Sequence, residues 1–320
     1  MILCAGESLI DMVPQDGLFR PLPGGSVWNT ALALGRLGAP ASYLWPVSRD
    51  SFGDALLAPL AQAGVDTALC PRSDRLTTLA FVTLTGGEAR YAFYDEGSAG
   101  RMLTEADLPP LPPGLAALFI GGISLVPDPC GAAIEALAVR AATAGVPVML
   151  DPNIRPFFIA DAAAHRARLD RLMALAAIVK LSADDLAWLD PGADPAQAAR
   201  ALLDRGPSLV LQTGGAAGAV GHTARGSLSA PAIRVTVADT IGAGDTFNAG
   251  LLDALHRAGA LSRLSALDDA TLSAALAHAA RAAAVTVSRP GADPPWAHEL
   301  PQAHAAPGGV RGTEGRSPPP

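Results

Sequence analysis

Several apolar, β-branched or aromatic runs, each bounded by turn signals, punctuate the chain: ILCAGESLIDMV, ASYLWPVS, AALFIGGISLV, PVMLDPN, AIVKLS and SLVLQTGG. Between them lie alanine- and leucine-rich segments at helical spacing, such as SVWNTALALGRLGA, GAAIEALAVRAATAG and DPAQAARALLDRG. Strand patterns that alternate with helix patterns restrict the chain to α/β architectures. Many of the runs are apolar at successive positions rather than at every second one, as in strands buried on both faces. The expectation is a mostly parallel central sheet with helices on both faces. Ligands in such folds lie beyond the carboxyl ends of the strands. Asp11, Asp151, Ser182 and Thr213 fall at or just past strand ends on this reading.

The segment TTLAFVTLTGGEARYAFYDEG alternates, turns at Gly86-Gly87 and alternates again. That is a hairpin with one wet face. Together with residues around 12–23 it could form a small sheet over a site, or it could be an ordinary edge hairpin. At 320 residues, half of them hydrophobic, the chain can build one large core or two smaller ones. Residues 301–320, rich in Pro and Gly without an apolar period, read as a disordered tail.

Composition removes several functions. The net charge of −7 with no basic block argues against a nucleic-acid surface. No apolar run reaches the ~18 residues of a membrane span. The start, MILCAGESLIDMV, has no basic region before its apolar run and is interrupted by Glu7, which argues against a secretory signal and for a buried first strand. Cys4, Cys70 and Cys130 form no paired or metal-binding pattern and read as core packing, so a cytoplasmic location is expected. The histidines show no ligand spacing such as HExxH. Lys180 is the single lysine and no glycine precedes it, which excludes a P-loop. The surrounding AIVK is superficially similar to a protein-kinase strand, but no DFG and no HRD loop accompany it, and GxSxG is absent.

The stretch DTIGAGDTFNAGLL at 239–252 carries the chemistry. After Asp245, the apolar Phe247, Leu251, Leu252 and Leu255 share one helical face, and Gly259 ends the run. Gly242, Ala243 and Gly244 therefore lie at a helix N-terminus, where unpaired amides attract an anion. Asp245 can cap that helix. Alternatively, it can take the proton from a hydroxyl that attacks a bound phosphoryl group. The six-residue dinucleotide fingerprint is incomplete here, which disfavours NAD.

DTIGAGDTFNAGLL resembles the C-terminal signature of the ribokinase-like (PfkB) carbohydrate kinases, and GGSVWNTALALGRLGA resembles their N-terminal one. GESLIDMVP, DPNIRP, KLSADDLAWL, LQTGG and SRPGA follow in the expected order, so the similarity covers residues 1–295 and is nearest to the bacterial fructokinase branch. The resemblance implies a Rossmann-like ribokinase fold, with a kinase domain over residues 1–300 and a β-sheet lid from about 12–23 and 76–100. It implies Asp245 as catalytic base and Gly242, Ala243 and Gly244 as an anion hole. Asp11, Gly24, Gly25 and Asn29 match sugar-binding positions. On their own residue types, Asp11 reads as a turn former and Asn29 as a helix-start residue. Arg155 matches a position that reaches toward substrate or phosphate, or is a surface arginine.

Lys180, Thr213, Gly214 and Gly218 match the nucleotide side, and His278 stands where relatives carry an adenine-side asparagine. A compact ammonium would suit Lys180, since arginine serves everywhere else; a structural lysine is the alternative. The family's NxxE element aligns with Ser182 and Asp185, which makes Asp185 an indirect magnesium contact. Asp239, Ile241 and Gly291 match a monovalent-cation loop. ATP and Mg2+ are the expected cofactors, with K+ at that loop.

Family membership does not name the sugar. In the related 2-keto-3-deoxygluconate kinases an arginine occupies the place of Asp95; an acid there would repel the substrate carboxylate. The expectation is ATP-dependent phosphorylation of a neutral sugar, D-fructose to fructose 6-phosphate, with Phe93 and Asp95 at the sugar. Phe93 reads equally as lid packing. Another sugar of the family, the keto-acid anchored by Arg155, and a sugar-binding regulator without turnover are the alternatives. Sugar and ATP are the expected partners, without nucleic acid or membrane, and a homodimer could share the lid.

Overall fold

The computed structural model describes residues 1–85 and 88–300. In chain order its elements are β1 (Ile2–Ala5), β2 (Leu9–Gln15), β3 (Leu18–Gly24), α1 (Ser26–Arg36), β4 (Ala41–Leu44), β5 (Val47–Ser48) and α2 (Ser51–Gln62). There follow β6 (Arg72–Ser73), β7 (Leu79–Thr85), β8 (Glu88–Tyr94), β9 (Ala117–Gly121), α3 (Cys130–Thr143), β10 (Val148–Asp151) and α4 (Ala162–Leu175). The chain continues through β11 (Ile178–Ser182), α5 (Ala183–Leu189), α6 (Pro195–Leu203), β12 (Leu209–Thr213), β13 (Ala219–Thr223) and β14 (Gly226–Ala230). It ends with α7 (Ala243–Arg257) and α8 (Asp269–Val287). The Gly86-Gly87 turn and the tail at 301–320 lie outside the described residues.

The main sheet has the order β14-β13-β12-β11-β10-β9-β1-β4. Its strands from β12 to β4 pair in parallel, and β13 and β14 add an antiparallel edge. Helices α1, α7 and α8 pack side by side as one layer, while α3 and α4 pack together against β9 and β10. Sheet strands covered in this way must be apolar throughout; β1, β4, β9 and β10 are buried at every position. The antiparallel edge was not anticipated, because GHTARGSLSA is too polar to stand out as a buried strand.

The run ILCAGESLIDMV is not one strand. It breaks at Gly6, and β1 enters the main sheet while β2 enters a second, four-stranded sheet of order β3-β2-β7-β8. The smaller sheet thus spans Leu9–Gly24 and Leu79–Tyr94. It also places Asp11 inside a strand rather than at a strand end, correcting the first reading. Among the described helices, only α8 has the length and composition to cross a membrane; it packs instead on α7, β13 and β14.

Candidate active site

The N-terminus of α7 is built around a left-handed turn. Gly242 is its N-cap with φ of 76°, and a Cβ there would lie 2.7 Å from the Ala292 Cβ, so only glycine fits. The first amides of α7 lack helical partners; that of Ala243 donates to the Thr240 carbonyl at 3.4 Å. Asp245 follows in the first turn but does not cap the helix. Its Oδ2 instead accepts a 2.8 Å hydrogen bond from Asn29 Nδ2 of α1, and its backbone carbonyl accepts from Thr30 Oγ1. Asn29 is buried and lies within the first turn of α1, after the N-cap Gly25. Among the described residues its Oδ1 has no donor, so one buried acceptor remains for a ligand hydroxyl.

Burial dominates the electrostatics at Asp245. It pushes the carboxyl from its ordinary 3.8 to about 7, aided by Asp151 and opposed by Asn29, Lys180 and Arg155. A helix N-terminus by itself would lower that value; desolvation prevails here. A carboxylate that ionises near neutrality is suited to accept a proton.

Asp11 comes from the smaller sheet. The register Leu22–Asp11–Ala80–Phe93 places these residues in one row, on one face. Gly24 leaves the space that the Asp11 carboxylate fills: a Cβ would stand 2.4 Å from Oδ2. Burial raises Asp11 to about 6. Gly25 begins α1, and Glu7, buried nearby, accepts hydrogen bonds from the Ser26 amide, Ser26 Oγ and the Ser124 amide. The Gly24–Ser26 turn is thereby fastened to the main domain. Phe93 stacks on Phe157 at 6.1 Å and meets Phe158 edge-on at 4.8 Å, so the smaller sheet touches the loop after β10. Arg155, in that loop, is exposed and donates to the carbonyls of Asn153 and Ile154.

The adjacent carboxyl ends of β10, β11 and β12 carry Asp151, Ser182 and Thr213. Lys180 Nζ lies 3.0 Å from Asp151 Oδ2 and 3.3 Å from where a Cβ on Gly244 would stand. Burial pulls the ammonium down, but the carboxylates of Asp151 and Asp185 outweigh it and hold Lys180 above its ordinary value. Past β12, the Gly214 amide bonds the Gly218 carbonyl around a short turn. Gly214 and Gly218 thus follow the carboxyl end of β12, next to β11, which bears Lys180, at the end of the sheet where ligands of α/β folds lie.

Three of the expected site residues, Asp185, His278 and Asp95, are engaged by other groups of the protein. Asp185 Oδ2 accepts from the Ser182 amide and Oγ, and Oδ1 from the Ile154 amide, so the acid is used in a capping box. His278 Nε2 lies 3.0 Å from Asp253 Oδ2, which ties α8 to α7 and engages that ring nitrogen. Asp95 does not offer a free negative charge. It accepts from Thr78 Oγ1 and Ser98 Oγ and pairs with Arg101 at 3.2 Å. The cavity it borders, of about 10 Å3, has room for about one water and is too small for a sugar. With Arg101 beside it, Asp95 presents less negative charge to a substrate carboxylate. Ile241 exposes its side chain, so any role at the 239–241 loop falls to its backbone. Asp239, by contrast, joins that loop to the next, accepting from the Ile241 and Gly291 amides.

Sequence reading missed the roles of Glu7, Asn248 and Asp151 in this framework. Asn248 Nδ2 donates 2.7 Å to Asp151 Oδ2. The available signals were an acid inside an apolar run and the Asp that opens DPNIRP. A cleft of about 670 Å3 lined by Arg200, His222 and Arg225 lies at the opposite end of the strands and includes none of the expected site residues.

Residues 2–299 match the profile of the pfkB family carbohydrate kinases. A fructokinase of Rhizobium leguminosarum bv. trifolii is 47% identical over 279 residues, 85% of each chain. Among solved structures, a fructokinase with bound ATP from Xylella fastidiosa superposes with a TM-score of 0.83 at 30% identity, covering 91% of this chain and 93% of that one. A double-mutant fructokinase from Vibrio cholerae, in a fructose-, ADP- and potassium-bound form, gives 0.82 at 26% identity, with the same coverage.

Proposed function

Since the chain belongs to the pfkB family of carbohydrate kinases, we propose that it transfers the terminal phosphoryl group of ATP to D-fructose, giving fructose 6-phosphate. The observation that carries this reading is the Asp245 carboxylate, held by Asn29 beside the glycine turn of α7 and ionising near neutrality. The named activity of the 47% identical relative supports fructose as the sugar.

The Asp11 carboxylate and the free Asn29 Oδ1 receive sugar hydroxyls, and Gly24 and Gly25 let backbone lie against the ring. Phe93 and Arg155 stand at the rim. The phosphates lie over Gly242, Ala243 and Gly244 with the Lys180 ammonium beneath, and the rest of the nucleotide extends toward Thr213, Gly214 and Gly218. Asp245 takes the 6-hydroxyl proton as the oxygen bonds to the γ-phosphorus, while the bond to the bridging oxygen breaks and ADP leaves. The amides of the glycine turn and the ammonium stabilise the charge that develops on the phosphoryl oxygens.

Among the described residues, no group of three or more His, Cys, Asp or Glu could hold a metal ion, and both oxygens of Asp185 are engaged. Magnesium would therefore arrive on the nucleotide phosphates. The Asp239 loop, with its buttressing amides, suits a monovalent cation beside the glycine turn, where K+ would add positive field. A cytoplasmic location and a homodimer through the smaller sheet complete the proposal. Phe19, Phe81 and Tyr94 form an edge-on ladder across that sheet, with Phe19 and Tyr94 exposed.

A coupled ADP-release assay over fructose, ribose, glucose and 2-keto-3-deoxygluconate tests the substrate. The keto-acid belongs in the panel because Arg101 already neutralises Asp95. Fructose should be preferred; turnover with the keto-acid alone would replace the reading. Asp245→Asn should lower kcat by about 10^2- to 10^4-fold while fructose binding persists, which also separates an enzyme from a sugar-binding regulator.

A further inference from the structure

Asp151 ends β10, and Lys180 lies in the neighbouring strand β11. One oxygen, Asp151 Oδ2, accepts from two donors: Lys180 Nζ at 3.0 Å and Asn248 Nδ2 at 2.7 Å. Asn248 is three residues beyond Asp245 on α7, so the same oxygen reaches the ammonium and the helix that bears the acid. The other oxygen, Oδ1, accepts from the Asn153 amide at 3.2 Å. Both side chains of the ion pair are buried, at 2% and 5% exposure. The ammonium abuts the glycine turn, 3.3 Å from the Cβ position of Gly244.

We propose that Asp151 is a positioning residue for phosphoryl transfer, holding the Lys180 ammonium beneath the glycine turn and tying α7 to the sheet. The inference rests on the kinase reading. A buried ammonium without a partner loses its proton or swings to water on its flexible four-carbon stem. With Asp151 in place, Lys180 is charged and aimed before any phosphate arrives. It is then shared between Asp151 and the transferred group as negative charge grows there. Donors fixed in advance where charge develops are the effective ones in a water-poor site. An asparagine at 151 would keep the shape and the Asn153 contact but would remove the charge and could turn an NH2 toward the ammonium.

The chain's single lysine makes a direct test available. Protein grown on isotope-labelled lysine gives one side-chain signal, which in the parent should be that of a slowly exchanging ammonium that shifts when AMP-PNP binds. In Asp151→Asn, kcat should fall by about 100-fold with fructose KM within about threefold of the parent, and the lysine signal should move or lose its nucleotide response. The proposal is overturned if Asp151→Asn keeps kcat within about threefold. It is equally overturned if kcat falls while the lysine signal and its nucleotide response stay those of the parent, since Asp151 would then act on structure alone. Should the variant not fold, the parent decides: a rapidly exchanging lysine, or one indifferent to AMP-PNP, sinks the proposal. A parent that phosphorylates no sugar would instead remove the kinase reading, leaving the lysine signal to be judged by itself.

Discussion

Asp245 shows how one residue acquires a use from its surroundings. In an open helix turn it would ionise well below neutrality; burial beside Asn29 lifts it to about 7. The ionised form is the active one, so kcat/KM for fructose should climb with pH along an acid limb centred near 7. A pH profile without a limb between 6 and 8 would contradict this environment for Asp245. The same shift has a sign for stability. The fold favours the protonated form, so the contribution of Asp245 is fully present below its ordinary 3.8 and is lost as pH rises through about 7. Asp245→Asn should therefore gain stability relative to the parent between pH 5 and pH 8, measured by denaturant unfolding at each pH. Gly24 offers a second test at this scale. A methyl there collides with Asp11 Oδ2, so Gly24→Ala should raise fructose KM by about tenfold or more with nucleotide KM little changed in steady-state kinetics.

Elements bring distant residues together. Helix α7 meets α1 through Asp245 and Asn29, meets the sheet through Asn248 and Asp151, and meets α8 through Asp253 and His278. Asp253 is fully buried and also accepts from Arg257 Nε at 2.7 Å, so His278 is part of a helix-to-helix tie. His278→Ala should accordingly cost about 1–2 kcal/mol of stability, read from chemical denaturation, while nucleotide KM stays within about threefold. A large rise in nucleotide KM without loss of stability would restore an adenine contact. The smaller sheet is an element of its own, joined to the main domain at Gly6 and at the Gly24–Ser26 turn and meeting the loop after β10 through Phe93. Removing that ring in Phe93→Ala should weaken fructose binding in calorimetry more than it changes the melting temperature.

For the whole molecule, the residues proposed to hold sugar and nucleotide are scattered between Asp11 and Asp245 and belong to both sheets. Ligands that bridge such segments bind the folded state alone. Saturating fructose with AMP-PNP should stabilise it by about 2.7 kcal/mol for each ligand at 100 times its Kd, seen as a higher melting temperature. Nicotinamide dinucleotide should produce no such shift. The exposed aromatic ladder of the smaller sheet belongs to the same scale: if copies pair there, the mass measured by light scattering should rise with concentration, and Phe19→Ser should lower it.

Periodicity and turn residues alone determined the α/β class, because a strand covered on both faces must be apolar at every position and a helix only on one stripe. They also determined that Gly242, Ala243 and Gly244 open a helix, since those small residues precede an apolar stripe at 3.6-residue spacing. Local sequence could not reveal which acid would be free and which engaged. Asp185 and Asp95 looked as available as Asp245, yet the first is consumed by its own capping box and the second by Arg101. Nor could it split ILCAGESLIDMV between two sheets, since a break at Gly6 is visible only once each half has found a partner strand. Partners such as Asn29 and Asp245, 216 residues apart, meet only through helix packing. Burial and pairing are properties of the assembled chain, and they decide the charge of a carboxylate.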